Sequence, residues 1–118
     1  MTDGAGRLLS GEPIESAVAA VSPLQPEVLT INCVPARLVE GDLATLRRAA
    51  SSSFPVGAYG NAGQPLPGGG SGERLEPDDY ARVAARWIAM GARIVGGCCG
   101  TGPAHTAKLR AMLAQVRK

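Results

Sequence analysis

The stretch Arg93-Ile94-Val95-Gly96-Gly97-Cys98-Cys99-Gly100-Thr101-Gly102-Pro103 sets two neighbouring cysteines among glycines, with a short apolar run entering and a helical pattern leaving. Adjacent side chains on a regular strand point to opposite faces. Two adjacent thiols therefore converge on one point only where the backbone turns, and Gly96, Gly97 and Gly100 permit such a turn. The other cysteine, Cys33, follows a second apolar run, Val28-Leu29-Thr30-Ile31. The expectation is a scaffold that brings Cys33 to Cys98 and Cys99.

Just upstream, Pro77 opens the clearest helix, with Asp78 and Asp79 at its positive end, an apolar stripe of Tyr80, Val83, Ala84, Trp87 and Ile88, and Gly91 as its stop. Downstream, Pro103 starts a last helix whose buried face is expected to be His105, Leu109, Met112, Leu113 and Val116. Further back, Val28 to Val34 is the kind of apolar, β-branched run that suits a strand covered on both faces. A helical pattern follows, with Val39, Leu43, Leu46 and Ala50 on one side and Asp42, Arg47 and Arg48 mostly away from it, closed by Ser51-Ser52-Ser53. Phe54 to Tyr59 reads as a second strand, and the glycine-rich segment Gly60 to Gly72 as an irregular loop. Near the start, Pro13 opens a helix with Ile14, Ala17, Val18 and Val21 on one face, ended by Ser22-Pro23 and Gln25-Pro26. Residues 1–11 read as a loop or weak extended start.

The order is a helix, then strand–helix three times over. Such alternation predicts an α/β fold with parallel strands joined by right-handed crossovers. Every strand-to-helix loop then emerges at one edge of the sheet, so Cys33, the Gly60–Gly72 loop and Cys98-Cys99 should meet there. Barrel enzymes carry their active sites at that edge.

Bulk properties narrow the function classes. With 45% hydrophobic and 19% charged residues in 118, the chain should be one globular domain, and 3% aromatic content leaves a core of Ala, Val, Leu and Ile. A net charge of +2 with scattered basic residues gives no nucleic-acid surface. Three cysteines do not make a disulfide framework, so a reducing, cytoplasmic setting is expected. Met1-Thr2-Asp3-Gly4 does not begin a secretory leader, and no apolar run approaches the roughly 20 residues of a membrane span.

Zinc takes thiolates in tetrahedral geometry, and catalytic sites commonly keep three protein ligands with the fourth position open. Cys33, Cys98 and Cys99 would supply three soft ligands and leave room for a substrate thiol, held as the nucleophilic thiolate. His105, on the apolar face of the last helix, is expected to pack there with a nitrogen bonded to a carbonyl or helix end rather than to complete the set. On residue types alone a second reading stands: buried cysteines also serve as small hydrophobes. A third, a redox pair at Cys98 and Cys99, meets the strain of joining neighbours by a disulfide.

Gly96-Gly97-Cys98-Cys99-Gly100-Thr101 with Pro103 and His105 resembles the C-terminal zinc signature of the homocysteine S-methyltransferase family. Ile31-Asn32-Cys33 resembles its first-ligand motif, and Tyr59-Gly60-Asn61-Ala62-Gly63 is similar to its Tyr-Pro-Asn-Ala/Ser-Gly segment, with Gly60 in place of the proline. Arg7 to Pro13 and Trp87 to Gly91 fit as well. The resemblance implies a TIM (β/α)₈ barrel of which residues 1–118 supply the last three strand–helix units and a preceding helix, as a single C-terminal portion without the earlier strands. It implies Zn²⁺ held by Cys33, Cys98 and Cys99, and Asn32 and Asn61 as substrate-binding residues. The reaction implied is methyl transfer to homocysteine sulfur, giving methionine, from a small donor such as methylmethionine, adenosylmethionine, betaine or methylfolate. Three parallel strands alone leave edges and an inner face uncovered. Self-association or a companion chain is therefore expected, and a barrel portion that binds zinc without turnover is the alternative.

Overall fold

Parallel strands need helical crossovers, and the chain provides one between each successive pair. The computed structural model describes residues 1–63 and 74–116. Its order is α1 (Ile14–Val21), β1 (Leu29–Pro35), α2 (Val39–Ala50), β2 (Val56–Asn61), α3 (Pro77–Ala89), β3 (Ile94–Val95) and α4 (Pro103–Val116), with single 3₁₀ turns at Ser22–Leu24 and Ala36–Leu38. The strands form one parallel sheet in the order β1-β2-β3. The Gly60–Gly72 loop lies mostly outside the described residues. Its first two residues belong to β2, because Asn61 still pairs with Pro35.

One face of the sheet is covered. Ile31 and Ala58 are buried against the helices, while Ile94 on the opposite face is 47% exposed. The helices line up on the covered side, α1 against α2, α2 against β1 and β2, and α3 between α2 and α4. Helices on one side and an open face carrying Thr30, Asn32, Tyr59 and Ile94 on the other are what a sector of the expected (β/α)₈ barrel would present. The expectation of strands covered on both faces holds only on the helix side.

The core joins aliphatic residues of α2 (Val39, Leu43, Leu46) to Tyr80, Val83, Ala84 and Trp87 of α3. Tyr80 and Trp87 meet edge to face, centroids 5.7 Å apart. Surface ion pairs join the helices: Arg86 to Glu40 at 2.6 Å and Lys108 to Asp78 at 2.7 Å. Both are exposed, each worth at most about 1 kcal/mol.

Two side chains depart from the expected faces. Val116 is 55% exposed at the end of α4, which packs chiefly on α3 among the described residues. Asp42, expected to point away from the core, is fully buried. Its two carboxyl oxygens accept the backbone N–H groups of Gly4 (3.0 Å) and Gly6 (2.7 Å), pinning the N-terminal segment to α2. A buried acid is tolerated where such donors replace water. Among the described residues no helix is long and apolar enough to cross a membrane.

Candidate metal centre

β1 runs in register with β2 from Leu29 to Asn32 and then slips. Asn32 faces Tyr59, but Pro35 faces Asn61, so β1 carries one extra residue across this interval. Cys33 sits in that bulge at φ 58, a left-handed conformation that non-glycine residues rarely adopt. Bulges re-aim side chains at sheet edges and barrel rims. Here the bulge breaks the alternation at the C-terminal edge of the sheet, where the thiol is needed.

The other two cysteines leave β3 in a turn. The Cys98 carbonyl accepts both the backbone N–H (3.1 Å) and the hydroxyl (2.7 Å) of Thr101, which closes the loop before α4. Gly100 has φ +76, and a Cβ there would lie 2.3 Å from the Gly63 carbonyl oxygen. Only glycine fits. Gly96 and Gly97 have ordinary negative φ, so of the three turn glycines only Gly100 is required by backbone conformation.

Three consecutive residues at the end of β2 each tether one cysteine. The Gly60 carbonyl accepts the Cys98 N–H at 3.2 Å, and the Ala62 N–H donates to the Cys99 carbonyl at 2.9 Å. Between them, the Asn61 side-chain amide donates to the Cys33 carbonyl at 2.9 Å. Segments far apart in the chain are thus held by one strand end.

The result is a cluster in which the three Sγ atoms lie within 4.8 Å of one another, with Cys33 and Cys99 3.4 Å apart. Sulfurs on one tetrahedral zinc, at Zn–S of about 2.3 Å, stand roughly 3.8 Å from each other. The donor set and its spacing therefore fit a tetrahedral thiophilic cation. Burial, then the neighbouring Cys98 and Cys99, pushes the Cys33 thiol up from 9.0 to about 11. A cation among the three sulfurs would favour the ionised, ligating form of Cys33. Among the described residues no fourth His, Cys, Asp or Glu joins the group.

A profile of the homocysteine S-methyltransferase family matches residues 1–113. The chain belongs to that family. It is 39% identical over 117 residues to a methionine synthase of Mycobacterium tuberculosis, covering 96% of this chain and 10% of that protein. It is 30% identical over 115 residues to homocysteine S-methyltransferase 4 of Zea mays, covering 92% of this chain and 32% of that one. Among solved structures it resembles the metallated form of the homocysteine methyltransferase MmuM from Escherichia coli. The TM-score is 0.69 at 29% identity, over 94% of this chain and 33% of that one. The chain thus spans between a tenth and a third of the lengths of these relatives. Its fold is part of the TIM barrel of these methyltransferases.

In this family member the remaining candidates, Asn32, Asn61 and His105, have distinct surroundings. Asn32 lies opposite Tyr59, and its Oδ1 is buried with no hydrogen-bond partner among the described residues. Asn61 is buried, its Nδ2 engaged with Cys33 as above and its Oδ1 accepting the Gly63 N–H at 3.2 Å. His105 packs as expected. Its Nε2 lies 2.9 Å from the Leu75 carbonyl and its Nδ1 accepts the Gly102 N–H at 3.1 Å, so neither nitrogen faces the thiols. A cavity of about 700 Å³ opens beside Cys33, walled by Thr2, Val34, Leu38, Ala62 and Leu75.

Sequence reasoning passed over Asp42 and the hydroxyl of Tyr80. Asp42 falls three residues after Val39 and four before Leu46, on the apolar stripe itself, which signals burial. A tyrosine in an apolar stripe signals a hydroxyl that must find a partner.

Proposed function

We propose that this chain carries the zinc and thiol-activating part of a methyltransferase that moves a methyl group from a small activated donor to homocysteine, giving methionine. The single observation behind this reading is the gathering of Cys33, Cys98 and Cys99 within 4.8 Å at the C-terminal edge of a parallel sheet. Cys33, Cys98 and Cys99 would hold zinc there, and the cation would favour deprotonation of a substrate thiol at neutral pH. The homocysteine sulfur forms the new bond to methyl as the donor's bond to that carbon breaks, and the donor departs with the electron pair. The thiol proton passes to solvent. Asn32, with its unsatisfied carbonyl oxygen, positions the amino acid, and Asn61 supports the site beside Cys33. Thiols not joined in disulfides suit a reducing cytoplasm.

Residues 1–118 act in this reading as one unit, the C-terminal strand–helix portion of the barrel. The open inner face and the outer edges of β1 and β3 are covered by further barrel strands, from the same polypeptide, a second copy or a companion chain. That uncovered face also favours a second reading, a zinc-holding barrel portion that does not turn over by itself.

The test is metal analysis of anaerobically purified protein beside a Cys98→Ser variant, with methionine formation assayed from homocysteine and each donor class. Near-stoichiometric zinc in the wild type, lost in the variant, with homocysteine-dependent methionine, is the expected result. Zinc without methionine selects the second reading, and equal zinc in both proteins removes the metal centre.

A further inference from the structure

Tyr80 stands behind the metal centre rather than in it. Its Oη lies 2.6 Å from the Gly60 carbonyl oxygen and 2.9 Å from that of Gly96. These carbonyls sit at the ends of β2 and β3, and Gly60 is also the acceptor for the Cys98 N–H. A phenol has one proton to offer, so the two carbonyls share it, and two like dipole ends are drawn to a single donor.

The β2–β3 ladder is short. Its paired residues are Gly57 with Ile94 and Ala58 with Val95, and beyond them Gly96 and Cys98 each send one N–H to β2. The Ala62 N–H, donating to the Cys99 carbonyl at 2.9 Å, is the further backbone tie between the cysteine turn and the end of β2 among the described residues. Cys33 is referenced to that same strand end through Asn61. The distance from Cys98 to Cys33 therefore depends on where the β3 end sits against β2, and Tyr80 bridges those ends.

The ring cannot follow a drifting carbonyl. It is fully buried, edge-on to Trp87 at 5.7 Å and to His105 at 5.6 Å, and His105 is itself tied at both nitrogens. Burial holds the phenol above its ordinary pKa, and at neutral pH it is a donor in either case.

We propose that Tyr80 is a positioning residue of the metal centre, whose hydroxyl holds the ends of β2 and β3 at the spacing that keeps Cys98 in ligating range of Cys33. The inference rests on the zinc reading above and adds a residue that touches neither metal nor substrate.

Tyr80→Phe keeps the ring and removes the hydroxyl, and Trp87→Phe disturbs the same packing while leaving the hydroxyl in place. Zinc affinity of the full chain is measured by competition with a chromophoric chelator, the ligand field by Co²⁺ absorption, and metal-free stability by urea unfolding. Y80F is expected to bind zinc at least about tenfold more weakly, the scale for groups that orient ligands, with shifted Co²⁺ bands. W87F is expected to lose stability yet keep wild-type affinity and bands. A smaller loss in Y80F overturns the proposal. So does a parallel loss of affinity in both variants, or a Y80F chain that fails to fold without metal, since the hydroxyl would then serve the fold at large. A wild-type chain that binds no zinc overturns both this proposal and the zinc reading, whereas Y80F matching a zinc-binding wild type overturns this one alone.

Discussion

The side-chain amide of Asn61 donates to the backbone carbonyl of Cys33 at 2.9 Å, across 28 residues of sequence, at the one non-helical position of β1 where φ is positive. The left-handed bulge at Cys33 costs of order 1–3 kcal/mol and persists only where its surroundings hold it. Asn61→Ala removes that hold and leaves a buried carbonyl without its donor. A stability loss of about 1–3 kcal/mol in urea unfolding is expected. Zinc affinity should fall by about 10- to 100-fold in chelator competition. An Asn61 that served substrate alone would leave zinc affinity at the wild-type value.

Alkaline pH should weaken the metal-free chain through Cys33. Its thiol is pushed from 9.0 to about 11 in the folded state. Below pH 9 folded and unfolded chains both keep the proton, and this contribution to stability is fully present. Between pH 9 and about 11 the unfolded chain releases it first, so stability falls as pH rises through that window. Urea midpoints measured across this range should decline less steeply in Cys33→Ser than in the wild type.

Asp42 ties the N-terminal segment to α2 with both carboxyl oxygens. Asp42→Asn keeps the shape but turns one acceptor into a donor facing an N–H group. The expected cost is about 1–3 kcal/mol, with faster amide hydrogen exchange at Gly4 and Gly6. Exchange at those amides equal to the wild type would show that the tie contributes nothing.

Gly100→Ala places a methyl group 2.3 Å from the Gly63 carbonyl oxygen and forces alanine to φ +76. A loss exceeding about 1 kcal/mol is expected, since both the backbone conformation and the space exclude a side chain. Because Gly100 follows Cys99 directly, zinc content of the purified variant should fall as well, read by elemental analysis.

The open inner face should make stability depend on company. Ile94 is 47% exposed on it, and the outer edges of β1 and β3 carry no neighbour in the three-stranded sheet. If strands of another chain cover this face, the unfolding midpoint will rise with protein concentration. A midpoint constant over a hundredfold range, with a monomeric mass by sedimentation, would show that the sector stands by itself.

Residue order by itself determined the alternation of apolar runs with helical stripes, and hence parallel strands with their loops at one edge. It determined the stop at Gly91 and the packing of His105, because these rest on local geometry and local periodicity. The clustering of Cys33 with Cys98 and Cys99 was legible by the same route, since a parallel βα array sends every strand-to-helix loop to one rim. Tertiary structure alone decided what holds that cluster. The extra residue at Cys33 is a matter of register against β2. The tethers from Gly60, Asn61 and Ala62 are long-range hydrogen bonds, two of them from backbone groups that every residue owns. Asp42 looked like a surface acid until Gly4 and Gly6 arrived from the far end of the chain to solvate it. Periodicity reports which face of an element is apolar, but the partner of a polar atom depends on which distant segment folding brings beside it.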